Sequence, residues 1–353
     1  MTRELMKGNE ALAEAAVRAG CRFFAGYPIT PQSEIVEYMS WRVPEAGGSF
    51  VQSESELAGI SMVYGAAAAG FRAMTSSSGP GFSLLHEGIS YISSAELPAV
   101  IVDVMRYGTG LGDIFQGQAD YWQGVKGGGH GDYRLLVLAP ASVQESADLI
   151  ALAFDKAEEY MNPVLILSDA SIGQMMEPVS LPVLKDHDPD KFQWSLKGKQ
   201  GGDFRRVTST MYYRADFNEY IKAKFDRIAE NEERWESVAT EDAEVIIVAY
   251  GISSRIAREA VRLGREEGLK LGLIRPISLW PFPKKAFTGF SENLKGFLTV
   301  EMSSLGQMGE DVALADRMRH PVYAYLSGDK VPDPEALTAT VRRVLAGEMK
   351  EAF

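Results

Sequence analysis

The chain has 353 residues, 46% hydrophobic and 24% charged, which is room for two packed cores and no sign of a disordered composition. A formal net charge of −12 with scattered Lys and Arg argues against a nucleic-acid partner, because that affinity comes from clustered cations. A single cysteine, Cys21, excludes an internal disulfide and any zinc or iron-sulfur site built on several thiolates; His86, His130, His187 and His320 lack metal-ligand spacing, so no metal site is expected here.

The N-terminal stretch "MTRELMKGNEALAEAA" has neither the apolar core nor the cleavage site of a secretory leader, and no run is long and apolar enough to span a bilayer. The expectation is a cytoplasmic protein with no membrane partner. Short runs rich in Val, Ile and Phe predict strands at 21–25, 49–52, 71–75, 99–104, 134–139 and 164–168. Stretches with helical spacing predict helices near 9–19, 31–41, 56–69, 82–94 and 142–160. This repeated βα order implies an α/β fold with a doubly wound, largely parallel sheet over residues 1–185. Residues 186–241 are polar and lack strand alternation, which predicts a linker with a bridging helix at 216–236. A smaller α/β domain follows over 242–353. Its strands are predicted at 244–250, 270–274 and 296–301, and its helices at 253–267, near 284–293 and at 334–346.

Ligands of open α/β sheets bind beyond the carboxyl ends of the strands, and here those ends read "GYPIT", "QSESE", "SSSGPG" and "MRYGTG". Pro28 and Pro31 bracket Thr30, which the spacing places at the N-cap of the next helix. Either it only caps, or its hydroxyl and the helix's positive end receive an anion such as a carboxylate. Glu54 and Glu56 open a helix of small residues. The macrodipole alone accounts for one carboxylate there, and the second points to function. The "TSSSGPG" loop at 75–81 has the makings of an anion nest, without a GxGxxG or P-loop lysine beside it. Arg106 closes the strand "AVIVDVM", as a surface cation or as the partner of an anion in a glycine-rich loop. No nucleophile-base arrangement accompanies these groups, so a cofactor is expected to do the chemistry.

"GYPITP", "QSESELAG", "TSSSGPGFSLLHEGISY", "ELPAVIVDVMR" and "RPISLWPFP", in this order over nearly the whole chain, resemble the α subunit of 2-oxoacid:ferredoxin oxidoreductases. "LMKGNEALAEAA", "KGGGHGDYR" and "GQMMEPV" bring the likeness to the 2-oxoisovalerate type. The resemblance implies that the first domain is the pyrimidine-binding half of a thiamine diphosphate site and the second a transketolase C-terminal-like domain. It implies cofactor contacts from Pro28, Ile29, Glu56, Ser77, Ser78 and Gly79, with Glu56 on the aminopyrimidine ring and Glu54 as the alternative carboxylate. It further implies a substrate pocket of Tyr27, Thr30, Arg106 and Tyr107, in which Thr30 meets the 2-oxoacid carboxylate and Arg106 holds the substrate. Mg²⁺ and the diphosphate would sit on a β subunit, since only "SGDK" at 327–330 approaches a Gly-Asp-Gly stretch here. Iron-sulfur clusters would sit on partner chains, among γ and ferredoxin-like δ subunits, with CoA as cosubstrate and ferredoxin as acceptor. Residues 107–125 offer no second cation for a distal carboxylate but carry Tyr107, Phe115, Tyr121 and Trp122, so an apolar or aromatic 2-oxoacid is expected, with 2-oxoglutarate as the alternative. Branched-chain relatives are expected to carry a small residue where this chain has Tyr107. Rival readings are a subunit that passes its acyl unit to lipoamide and a non-catalytic anion-binding scaffold. "VAYGISSR" and Arg275 read as packing or as a partner-facing surface.

Overall fold

Fourteen strands and eleven helices are found in the computed structural model, which describes residues 3–192, 194–198 and 207–352. The first half contains β1 (Glu4–Lys7), α1 (Gly8–Arg18), β2 (Phe23–Gly26), α2 (Ser33–Glu45), β3 (Ser49–Gln52), α3 (Glu56–Ala68), β4 (Ala73–Ser77), α4 (Pro80–Ser94) and β5 (Val100–Met105). It continues with α5 (Tyr121–Lys126), β6 (Leu136–Leu138), α6 (Val143–Tyr160), β7 (Val164–Asp169), α7 (Ala170–Gln174) and β8 (Met176–Val179). The second half contains α8 (Phe217–Asn231), β9 (Trp235–Val238), β10 (Val245–Val248), α9 (Gly251–Glu266), β11 (Leu271–Pro276), β12 (Ser278–Trp280), β13 (Gly296–Glu301), α10 (Gly309–Ala315), β14 (Val322–Leu326) and α11 (Pro334–Leu345).

Strands β5 and β7 are buried along their whole length, as continuous Val, Ile and Leu runs require when helices cover both faces, and β4 is buried equally although it reads Ala-Met-Thr-Ser-Ser. The large sheet has the order β12-β6-β7-β5-β4-β2-β3, parallel except for β12. The direction of winding reverses between β2 and β4. Their pairing covers only Phe23↔Ala73 and Phe24↔Met74, whereas β4 runs on to Ser77, so the strands part at their carboxyl ends. This is the switch point where such sheets open a crevice.

The second sheet has the order β14-β13-β10-β11-β9, with β9 antiparallel. The two halves share one apolar core: Ile101, Met105, Tyr121 and Leu165 pack in the same cluster as Tyr250, Leu279, Phe282 and Phe297. A second cluster on the other face of the large sheet joins α1, α2 and α6 to it.

Several elements depart from the sequence reading. The expected helix near 284–293 is a short 3-10 turn at Lys284–Ala286, ended by Gly289 at φ 77° while Phe287 and Phe290 turn inward onto Phe297. The bridging helix is shorter than 216–236, and the stretch after it forms β9. The "RPISLWPFP" segment leaves the second sheet and adds β12 to the edge of the first. The β1–β8 ribbon, α10 and β14 carry no strong periodic signal. Within the expected linker, residues 193 and 199–206 lie outside those described.

Candidate functional site

The loop after β2 runs over residues 27–32, with Tyr27 39% exposed and Pro28 and Thr30 also open to solvent. The N-cap of α2 is Gln32, so Thr30 does not cap the helix; the two residues after it form a turn before the first helical hydrogen bond closes. This corrects the position assigned to Thr30. Gln32 is fully buried and ties the loop to the sheet. Its amide donates to the Tyr27 carbonyl at 3.1 Å and accepts from Ser76 Oγ at 2.6 Å. Asn9 and Gln174 both donate to the Pro31 carbonyl, at 2.8 and 3.2 Å, which fixes the far end of the same loop.

Glu56 opens α3, whose N-cap Ser55 accepts from Ala58 N–H at 3.3 Å. It is 6% exposed, whereas Glu54 lies open on the surface; two residues of offset at a strand-to-helix junction send the two side chains to opposite environments. Ser77 Oγ donates to Glu56 Oε1 at 3.4 Å. Gly81 lies against both: a Cβ there would come within 2.2 Å of Glu56 Oε1 and 2.2 Å of Ser77 Oγ. The absence of a side chain at this position is therefore what lets the carboxylate enter the crevice.

Gly79 caps α4 at φ 47°, and a Cβ on it would stand 3.1 Å from Arg106 Nε. The Ser78 hydroxyl beside it is buried and has no hydrogen-bond partner. Arg106, 6% exposed, follows β5 and pairs with Gln116 across an isolated bridge. Its guanidinium bonds only carbonyls: Nη1 donates to Thr30 O at 2.9 Å and Nη2 to Leu111 O, while Nε has no partner. A buried guanidinium that no carboxylate hydrogen-bonds can still receive an anion.

Thr30, Ser77, Gly79, Arg106 and Glu56 are thus brought to one crevice by the parting of β2 and β4. Ile29 is half-buried in the same loop. Tyr107 is steered away by the second domain, its hydroxyl 2.8 Å from Ser304 Oγ. Tyr121 and Trp122 do not line a pocket, contrary to the sequence reading. Tyr121 is fully buried with its hydroxyl on Asp311 at 2.8 Å, and the Trp122 indole donates to the Gln307 carbonyl at 3.0 Å. They face the second domain because α5 lies in the joint between the halves. Apolar groups do stand near Arg106, at the tip of the loop: Leu111, Ile114 and Phe115 are 80%, 60% and 54% exposed.

The loop's far end is held by Gln118, whose side chain donates to the Tyr250 carbonyl at 3.0 Å and accepts from Ser253 Oγ at 2.8 Å. Arg275 is buried and bonded by Glu145 and Glu236, so it packs the joint. Gln32, Gly81, Gln118, Asp103 and Asp120 were missed by the sequence reading. Of these only Gly81 carried a signal, as part of "SSGPG". Among the described residues no cluster of His, Cys, Asp and Glu could hold a metal, and no helix is long and apolar enough to cross a membrane.

Residues 14–239 match the family described as pyruvate flavodoxin/ferredoxin oxidoreductase, thiamine diphosphate-binding, and residues 243–335 match the pyruvate:ferredoxin oxidoreductase core domain II. The chain is similar to the ketoisovalerate oxidoreductase subunit VorB of Methanothermobacter marburgensis, 49% identical over 355 residues that cover 99% of this chain and 100% of the relative. It is also similar to the 2-oxoglutarate synthase subunit KorA of Archaeoglobus fulgidus, 40% identical over 319 residues covering 88% and 91%. Among solved structures, 2-oxoglutarate:ferredoxin oxidoreductase from Magnetococcus marinus with 2-oxoglutarate, coenzyme A and succinyl-CoA bound superposes with a TM-score of 0.82 at 25% identity, over 98% of this chain and 65% of that one. With both halves matched in order and relatives of this identity, the chain belongs to the 2-oxoacid:ferredoxin oxidoreductase family, as a subunit that carries its thiamine diphosphate-binding domain.

Proposed function

We propose that this chain is the α subunit of a CoA-acylating oxidoreductase that decarboxylates a branched-chain or other apolar 2-oxoacid and passes the electrons to ferredoxin. The observation that carries this reading is that two buried side chains of opposite charge, Glu56 and Arg106, stand on either side of one crevice with neither closed into a salt bridge. The residues fit the thiamine ring. Glu56 stands in a cradle that a Cβ at position 81 would fill, and Ser78 offers an orphaned hydroxyl nearby. When bound, thiamine diphosphate supplies the carbanion chemistry that amino-acid side chains lack.

The chain's own groups do the rest. The Glu56 carboxyl hydrogen-bonds the aminopyrimidine and orients it, with Pro28, Ile29, Ser77, Ser78 and Gly79 as the walls of that seat. Arg106 takes the 2-oxoacid carboxylate, with Thr30 beside it. The substrate's side chain meets Leu111, Ile114 and Phe115, and no cation of loop 107–118 is available for a distal carboxylate. A β subunit completes the site with Mg²⁺ and the diphosphate seat. It covers the groove of about 300 Å³ between α3 and α4, lined by Leu57, Tyr64 and Tyr91, which begins one residue after Glu56 on α3. Iron-sulfur clusters sit on γ and δ partners, because one cysteine cannot hold a cluster. The name of the relative that is 49% identical agrees with a branched-chain substrate; the KorA relative makes 2-oxoglutarate the reading to beat.

The test is viologen-dye reduction without oxygen by the natively purified complex, given CoA and a panel of pyruvate, 2-oxoisovalerate, 2-oxoglutarate and aryl 2-oxoacids. Fastest CoA-dependent reduction with 2-oxoisovalerate supports the reading, and a clear preference for 2-oxoglutarate overturns the substrate. Silence from a thiamine-loaded complex across the panel removes the activity altogether.

A further inference from the structure

Behind Arg106 lie two carboxyl groups that the proposed chemistry does not use. Asp103, on β5, is fully buried and neither of its oxygens closes a hydrogen bond. Asp120, 6% exposed at the start of α5, accepts from Gln123 Nε2 through Oδ1 at 2.5 Å and leaves Oδ2 without a partner. The two carboxyls face each other. The Gly79 N–H lies against Asp103 and the Arg106 N–H against Asp120. The other ionisable groups around them are the Arg106 guanidinium, the buried Tyr250 hydroxyl, the more distant Asp169 and Glu301 that also surround Tyr250, and His86, which lies beside Gln123.

We propose that Asp103 and Asp120 act as a one-proton carboxyl pair behind Arg106, two positioning residues whose shared proton limits the negative charge beside the guanidinium and so keeps it able to take the substrate carboxylate. Two buried carboxylates in contact cannot both ionise at modest cost. With one proton between them the pair carries a single negative charge near Arg106 in place of two. Burial first, and the neighbouring carboxyl second, push Asp103 well above the ordinary carboxylate range; burial pushes Asp120 up to about 6 against the pull of Gln123 and Arg106. Asp103 therefore keeps the proton. Loss of it at alkaline pH sets a second negative charge beside Arg106, and that charge competes with an incoming anion.

The inference rests on the proposed function for its purpose, and its test has a readout that needs no substrate. Infrared difference spectra of the purified complex around neutral pH should show a carboxylic-acid C=O stretch that Asp103→Asn removes. In dye-reduction assays the wild-type KM for the 2-oxoacid should rise up to about tenfold per pH unit once the shared proton leaves. Asp103→Asn should abolish that rise. Asp120→Asn, a second route if the first variant does not fold, should also abolish the rise, since only one negative charge can then form, and should move the loss of the infrared band to lower pH because the neighbouring charge is gone. No acid band in the wild type, or an alkaline limb unchanged in both variants, overturns the pair. An acid band in a complex that oxidises no 2-oxoacid leaves the pair standing and removes the function assigned to Arg106.

Discussion

Two carboxylates, Asp316 in the second half and Asp103 in the first, are equally cut off from water, both at 0% exposure. Asp316 is fully engaged. The backbone N–H groups of Arg319 and His320 donate to it at 2.9 and 2.8 Å, and the Arg319 guanidinium and the His320 ring stand 3.1 Å away. Asp103 closes none, and Ser53, Ser78, Arg106 and Asp120 around the same sheet edge also keep unpartnered atoms. The difference is instructive because both halves are α/β layers of similar material. At Asp316 the local backbone satisfies the buried carboxylate; at Asp103 the protein alone leaves it incomplete, as the proposed ligand site beside it would require. Glu301 lies between these cases, with N–H donors from Gln307 and Met308 on one oxygen and none on the other.

The largest effect that would test this contrast is at Glu56. Glu56→Ala in the assembled complex should lower the dye-reduction rate by about 10²–10⁴-fold, with thermal unfolding close to wild type. Unaltered turnover would return the site to the status of a scaffold. Next comes the contrast itself. Asp316→Ala strands several donors and should cost on the order of 3 kcal/mol, measured by denaturant unfolding. Asp103→Asn should cost less and should gain relative to wild type as pH rises, because a raised folded-state pKa means that the native carboxyl holds a proton the unfolded chain releases. Equal losses in the two variants would break the comparison.

A smaller, pH-dependent effect is expected at His86, whose ring is buried on α4 with neither nitrogen bonded and is pushed down to about 4 by that burial. The unfolded imidazole takes its proton near 6.5, so the native state loses stability as pH falls from there toward 4, by at most about 3 kcal/mol. His86→Asn should flatten that slope, as read from unfolding midpoints over this range; a slope identical to wild type would place the ring in a wetter setting. Smallest of all, Tyr107→Phe removes a half-exposed bond to Ser304 and should change stability by less than about 1 kcal/mol. The KM for the 2-oxoacid should shift about two- to threefold if the second half steadies the loop through this contact.

Much of the first half is legible in the residues alone. Runs such as "AVIVDV" and "VLILS" read as strands buried on both faces by their short length and β-branched residues, and the longer "LAGISMVYGAAAAG" reads as a helix of small residues. Glu56 and Arg106 stand out because charge at a strand end is costly without a partner. The details that make the site work are not readable in this way. Thr30 looks like a cap because Pro31 follows it, yet the helix begins at Ser33. Tyr121 and Trp122 look like pocket walls, but nothing local tells them from core residues facing another domain.

By itself, the sequence determined the alternation of layers, the sheet edge where the candidate site groups gather and that one cysteine cannot build a multi-thiolate site in this chain, since these follow from periodicity and composition. Only the tertiary structure decided which of Glu54 and Glu56 enters the crevice, that Gly81 makes room for it, and that Asp103 and Asp120 meet behind Arg106. Each of these is a contact between segments 17 or more residues apart, or a difference in the direction of neighbouring side chains, and no local pattern in a single chain encodes such distances.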